Sequence, residues 1–145
     1  MSITKYYKIY PEVPAGIGEN SVINRIPGQP LEVIKMHLVF EGWLGSDLMK
    51  TSPVFYVTEK LKDALEKEDF SGISVFEKIE VTKSENFIEL YPELELPNFF
   101  LMRIIGVAYK SDFGIDIGKL VVSELALNFL KQFQFTQVEI EEISN

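Results

Sequence analysis

Two similar stretches decide the fold, VTEKLKDAL at residues 57–65 and VSELALNFL at residues 122–130. In each stretch apolar residues recur at i, i+3 and i+4, the spacing of a helix with one buried stripe. The similarity continues after both stretches at the same offset, which aligns Phe70 with Phe135. We therefore expect two copies of one local structure.

The residues at the start of each stretch favour a helix that begins at the same place in both copies. Thr58 and Ser123 are suitable N-cap residues, because their hydroxyl oxygens can accept a hydrogen bond from a free N–H of the first turn. Glu59 and Glu124 follow directly and place negative charge at the positive end of the helix dipole. Both helices are therefore predicted to start immediately after the capping residue.

The rest of the chain fits around these helices. Apolar alternation before and after each one predicts two strand-helix-strand units, over residues 54–81 and 119–143, stacked about a pseudo-twofold axis. Residues 31–40 alternate as one half-buried strand, and residues 99–107 form a strongly apolar, buried strand. Residues 11–30 are rich in Pro and Gly and are expected to form a loop or arm, with a short strand over residues 21–26 left open as an interruption. The predicted fold is α+β, with mostly antiparallel or mixed sheets and two short helices.

Length and composition indicate one soluble globular domain that covers residues 1–145. A chain of 145 residues with 46% hydrophobic residues can bury a real core. There is no cysteine, so disulfides and thiolate metal sites are impossible. The N-terminus lacks the pattern of a signal peptide, and no apolar run approaches the roughly 20 residues that span a bilayer. We expect a cytoplasmic protein.

The net charge of −8 is unevenly distributed. Residues 1–50 carry five basic and five acidic residues, whereas residues 51–145 carry nine basic and seventeen acidic ones. An acidic surface repels phosphate backbones and anionic lipids, which disfavours nucleic acids and membranes as partners. It attracts basic partners instead, although acidity can also serve solubility alone.

The usual catalytic and cofactor signatures are absent. The chain has a single histidine, His37, which we expect to be a half-exposed polar residue on the mixed face of its strand. No phosphate-binding glycine loop, EF-hand spacing or nucleophile elbow occurs, so no catalytic residue, metal or cofactor is assigned. A pair of carboxylates for acid–base work on a glycan stays open, but 22 acidic residues make such a pair unspecific.

Trp43 is the only tryptophan and stands between two glycines. One interpretation is a turn whose indole plugs the core. The other is an aromatic contact with a partner, because tryptophan is enriched in interface hot spots. The sequence leaves both interpretations open, with the first preferred.

Taken together, the chain resembles bacterial immunity-type proteins of polymorphic toxin–immunity systems over roughly residues 42–143. The resemblance lies in short motifs, namely Trp43 with Asp47 and Leu48, VTE at 57–59 with Leu65, Gly72-Ile73, Leu96-Pro97, and LVVSE at 120–124 with Leu130. The resemblance implies a cytosolic, non-catalytic protein that binds and neutralises a toxin. It transfers no catalytic residues.

The acidic C-terminal half is the predicted contact with such a partner, which we expect to be basic. The candidate partner-binding residues are Glu85, Glu89, Glu93, Glu95, Asp112, Asp116, Glu139, Glu141 and Glu142, together with Trp43. The alternatives are a scaffold that self-associates through residues 11–30 or an exposed edge strand, and a small carboxylate enzyme. The oligomeric state stays open.

Overall fold

The computed structural model describes residues 4–135 and 138–143. In chain order its elements are β1 (Tyr6–Tyr10), β2 (Ala15–Ile17), β3 (Val22–Asn24), β4 (Glu32–Lys35), β5 (His37–Phe40), β6 (Leu48–Thr51), β7 (Val54–Thr58), α1 (Glu59–Glu66), β8 (Ile73–Lys78), β9 (Glu80–Lys83), α2 (Glu85–Leu90), β10 (Phe99–Ile104), β11 (Phe113–Asp116), β12 (Lys119–Ser123), α3 (Glu124–Leu130) and β13 (Glu139–Ile143).

The strands form three sheets and a two-stranded ribbon, which confirms the predicted α+β class. Sheet 1 has the order β6-β7-β10-β8, sheet 2 the order β11-β12-β1-β13, and sheet 3 the order β2-β5-β9, while β3 pairs with β4. All pairings are antiparallel except the parallel pairing of β5 with β9. The sheets are therefore antiparallel or mixed.

Both predicted units are present. Each is preceded by one further strand, which forms a hairpin with the strand that leads into the helix. Hairpin β6–β7 leads into α1 and then β8, and hairpin β11–β12 leads into α3 and then β13. Thr58 accepts a hydrogen bond from the Leu61 N–H, and Ser123 accepts one from the Ala126 N–H. The predicted caps are confirmed, so local sequence sets where each helix begins.

The two units exchange a strand. β1 precedes the first unit in the chain but lies between β12 and β13 of the second unit. β10 precedes the second unit but lies between β7 and β8 of the first. The exchange is equivalent on both sides, since Tyr6 pairs with Ser123 and Phe99 pairs with Thr58. Neither sheet is complete without a strand that lies next to the other unit in sequence.

The main core, core 1, lies between the two units and is built from equivalent residues of both. Its buried members include five pairs related by the sequence repeat: Leu48 and Phe113, Phe55 and Leu120, Val57 and Val122, Leu61 and Ala126, and Leu65 and Leu130. Each unit therefore covers the apolar face of the other, in the way that a repeated unit with one apolar face must be covered.

A second core, core 2, lies on the other side of sheet 1. Phe40, Tyr56 and Phe99 form its aromatic centre, with the rings of Phe40 and Phe99 stacked at 4.7 Å. Phe87 of α2 and strands of sheet 3 close this core. Sheet 1 is thus packed on both faces, which fits the uninterrupted burial of β7.

The structure differs from the sequence-based expectation at four places. The described residues contain three helices, because α2 forms in addition to the two predicted ones. The predicted strand over 31–40 is two strands in different sheets, divided at Met36. In the 11–30 segment, β3 lies where a short strand was left open, whereas β2 forms where only a loop was expected. The strand expected over 99–107 ends at Ile104, and Ile105 is 72% exposed.

Candidate binding surface

Four of the predicted partner-binding residues lie together on α2 and the loop after it. Glu85, Glu89, Glu93 and Glu95 are all exposed. None of their carboxylates forms a hydrogen bond or an ion pair with another described residue. We call residues 85–95 the α2 face. Its negative charge is thus uncompensated within the described part of the fold.

Internal contacts hold the α2 face in place. Ser84 caps α2 by accepting a hydrogen bond from the Phe87 N–H, and the Phe87 side chain is fully buried. Leu94 packs against core 2, and the Lys83 ammonium donates to the Leu94 carbonyl at 2.7 Å. Phe87 and Leu94 therefore anchor the segment, while its four carboxylates face solvent.

Apolar side chains are exposed among these carboxylates. Ile88 is 56% exposed, Leu90 is 67% exposed and Tyr91 is 45% exposed. An apolar centre with a polar rim is the usual composition of a protein–protein interface. The α2 face combines both elements in one short segment.

Trp43 lies next to this face and is partly buried. Its indole packs edge-on against Phe99 at 5.6 Å, and its N–H donates to the Ser46 carbonyl at 3.1 Å. These contacts correspond to the interpretation of Trp43 as a core plug. The rest of its surface lines a groove, together with Tyr91.

The groove has a volume of about 420 Å³ and is formed by residues 11–14, residues 41–44 and Tyr91. Glu12 is one of its walls and is only 8% exposed. Its Oε2 accepts a hydrogen bond from the Leu44 N–H at 2.9 Å, whereas its Oε1 is buried and has no hydrogen-bond partner among the described residues. The sequence analysis missed Glu12, because a single acid in a Pro-rich segment carries no distinctive pattern.

The charge of Glu12 also affects the pKa of a buried tyrosine, Tyr56. Burial raises the pKa of the Tyr56 hydroxyl above its ordinary value, a hydrogen bond with Thr51 opposes this rise, and nearby Glu12 adds to it. Tyr56 therefore stays protonated and serves as a buried hydrogen-bonding partner of Thr51.

Four other candidates lie on sheet 2, away from the α2 segment. Asp116 accepts a hydrogen bond from the Tyr109 hydroxyl at 2.8 Å, which is the main reason that the pKa of Tyr109 is raised. Glu139 and Glu141 are exposed on edge strand β13, and Glu142 of the same strand pairs with Lys5 at 3.4 Å. The fold thus separates the predicted acidic residues into more than one group.

Asp112 has an internal role. Its Oδ1 accepts a hydrogen bond from the Ser123 hydroxyl at 2.7 Å, and its Oδ2 accepts one from the Ser71 N–H at 3.0 Å. The carboxylate therefore joins the cap of α3 to the loop that follows α1. Both of its oxygens are engaged within the fold.

Asp47 is the equivalent of Asp112 in the first unit. Its Oδ1 accepts from the Thr58 hydroxyl at 2.6 Å, and its Oδ2 accepts from the Gln134 N–H at 2.8 Å. The sequence repeat aligns the two aspartates at the same offset as the helices, so the pair is visible in the sequence. Each aspartate joins one unit's helix cap to the other unit's loop.

The expectation that His37 is half-exposed is wrong. His37 is 5% exposed, its Nδ1 accepts from the Asn20 N–H at 3.3 Å and its Nε2 lies 2.8 Å from the Thr82 hydroxyl. Both ring nitrogens are thus engaged in structural contacts between sheet 3 and the preceding loop. Over residues 4–135 and 138–143, no three His, Asp or Glu side chains are grouped in a way that would hold a metal ion.

None of the helices in the described part of the chain has the length and apolarity needed to cross a membrane. Comparison of the chain with protein-family models, with curated proteins and with solved structures finds no significant match.

Proposed function

We propose that this protein is a non-catalytic binding protein that recognises a basic protein surface through the α2 face. In its sharper form, the proposal is that it acts in the cytoplasm as an immunity protein, which binds and neutralises a bacterial toxin. The observation that supports the proposal is the set of four exposed, unpaired carboxylates on an anchored segment that also exposes Ile88, Leu90 and Tyr91.

Physical reasoning favours binding on this face. Unpaired surface carboxylates steer a basic partner toward the segment and speed its association. The exposed apolar side chains then provide surface that is removed from water in the complex. Because Phe87 and Leu94 anchor the segment, little conformational freedom is lost on binding.

Self-association through an edge strand is the less favoured alternative. β13 is an edge strand of sheet 2, and a strand edge can pair with another chain. It carries Glu139, Glu141 and Glu142, however, and such charges are typical of edges that are protected from pairing. Light scattering distinguishes the alternatives, because the binding proposal is compatible with a monomer and the scaffold alternative is not.

The test is affinity capture with matched charge variants. The tagged protein, a face variant (E85Q, E89Q, E93Q and E95Q) and a control variant are incubated with lysate of the organism that encodes the protein and washed at low and high salt. The control variant carries E19Q, E32Q, E68Q and D69N, four exposed positions outside the α2 face, so its net charge is the same.

A basic protein that is captured by the parent and the control variant, released by salt and not captured by the face variant supports the proposal. Equal capture by both variants refutes the α2 face. Capture of no basic protein by the parent refutes recognition of a basic partner. A toxin assay of any captured protein then tests the immunity role, which requires that toxicity is suppressed by the parent and not by the face variant.

A further inference from the structure

One wall of the groove between residues 11–14 and 41–44 is the carboxylate of Glu12, and one of its oxygens has no hydrogen-bond donor in the described structure. Glu12 is nine-tenths buried and its Oε1 lacks a hydrogen-bond partner there. Leaving a buried acceptor unpaired is costly, especially when it belongs to a carboxylate. A ligand that donates a hydrogen bond to this oxygen would remove that cost.

The other residues of the groove define which donor would fit. The lining includes Glu12 and Glu41 and no Lys or Arg, so its charge is complementary to a cation. Trp43 and Tyr91 supply aromatic surface, which a planar guanidinium contacts well. Arginine presents several N–H donors in a rigid plane, and this geometry suits a carboxylate better than the point charge of lysine.

Oε1 is buried, so a ligand reaches it only when neighbouring side chains move, and several side chains that line the groove are exposed. Val13 is 64% exposed, Leu44 is 55% exposed and Tyr91 is 45% exposed. Side chains with such exposure change rotamer rapidly. The Leu44 N–H that binds Oε2 keeps the carboxylate oriented while they move.

The geometry points to this groove as the binding site for an arginine side chain, whose guanidinium pairs with Glu12 between Trp43 and Tyr91. The arginine belongs to the basic partner, and in this respect the inference rests on the proposed function. The groove borders the α2 face, because Tyr91 is part of both. The arginine would then anchor a partner that the neighbouring carboxylates attract.

A ligand comparison on the unmodified protein tests the inference. Acetyl-arginine amide and acetyl-citrulline amide are titrated separately into the ¹⁵N-labelled protein. Citrulline has the same shape as arginine but no charge. We expect saturable shifts of the Leu44 amide and of the Trp43 indole N–H with arginine, and binding at least about tenfold weaker with citrulline. Equal shifts with both ligands, or no saturable shift, would overturn the inference, and Oε1 would then be satisfied by water.

A matched pair of variants locates the effect. Glu12→Gln removes the charge but keeps an oxygen that can accept from the Leu44 N–H, and we expect it to weaken arginine binding by at least about tenfold. Glu19→Gln removes an exposed charge outside the groove and should leave binding unchanged. Unaltered binding in the Glu12 variant overturns the inference. If that variant does not fold, the comparison of arginine with citrulline on the parent decides.

The outcomes separate this inference from the proposed function. If arginine binding depends on Glu12 but no basic protein is captured, the groove is an arginine site and the proposed function is wrong. The opposite result is that a basic protein is captured through the α2 face, arginine does not bind, and Glu12→Gln does not affect capture. The proposed function then stands, and the groove is not an arginine site.

Discussion

Replacing Asp47 and Asp112 with alanine, one at a time, tests the contacts that join the two units. The two residues make equivalent hydrogen bonds but differ in burial, since Asp47 is 5% exposed and Asp112 is of intermediate exposure. The comparison therefore holds the geometry nearly constant while it changes the access of water. Asp69→Ala, at an exposed position, serves as the control.

The magnitudes follow from the donors that lose their acceptor. Without Asp47, the buried Thr58 hydroxyl and the Gln134 N–H each lose a charged acceptor, at about 1–3 kcal/mol per group. We expect the free energy of unfolding to fall by about 3–4 kcal/mol in total. Without Asp112, water reaches part of the site and replaces the lost acceptor, so we expect a loss of about 1–2 kcal/mol.

Urea unfolding at neutral pH, followed by circular dichroism, measures both losses. The control should change the free energy of unfolding by less than about 0.5 kcal/mol. A loss in the Asp112 variant as large as that in the Asp47 variant would refute the argument from burial. Losses in both variants no larger than that of the control would show that these carboxylates do not join the units.

The same unfolding assay tests four further substitutions, the last of them as a function of pH. Gly18→Ala places a Cβ 2.2 Å from the His37 ring and should lower stability by about 2 kcal/mol, whereas no loss would mean that the ring moves freely. Ile117 is 92% exposed and has a φ of 49°, so Ile117→Asn should raise stability by about 1 kcal/mol; a decrease would refute backbone strain there. Glu89 lies at the negative end of α2, one turn after another carboxylate, so Glu89→Gln should raise stability by about 0.5 kcal/mol, and a loss would reveal a partner that the structure lacks. The pH dependence is tested at Glu77, whose pKa is lowered chiefly by a hydrogen bond from its arginine partner. Its stabilising contribution is present at neutral pH and disappears as the pH falls through the lowered pKa. Glu77→Gln should therefore cost about 0.5 kcal/mol at neutral pH and nothing once Glu77 is protonated in the folded protein; a difference that stays constant with pH would contradict this.

The sequence predicted the units because their signals are local. A capping hydroxyl, an acid after it and an apolar stripe lie within a few residues of one another, and Thr58 and Ser123 act as expected. The helix α2 was not predicted, because acidic and apolar residues alternate around it and it has only six residues, although Ser84 caps it in the same way.

The strand exchange could not be predicted in the same way. β1 and β10 are both short apolar strands that would fit antiparallel into either sheet, and their choice depends on packing between residues far apart in the chain. The groove has the same origin, because Glu12 meets residues 41–44 and Tyr91 only after folding. The acidity of the α2 face could be read from the sequence, but the division of the acidic residues between α2 and sheet 2 could not.

The exchanged strands also constrain how the protein is made. β1 leaves the ribosome well before the two strands that flank it, β12 and β13, because both follow it far along the chain. Pairing between strands that lie far apart in the chain is slow to form, and an unpaired strand is prone to aggregate. β1 therefore has to remain unpaired or shielded until β12 and β13 have been synthesised. We expect folding to proceed in one late step, in which both sheets close together.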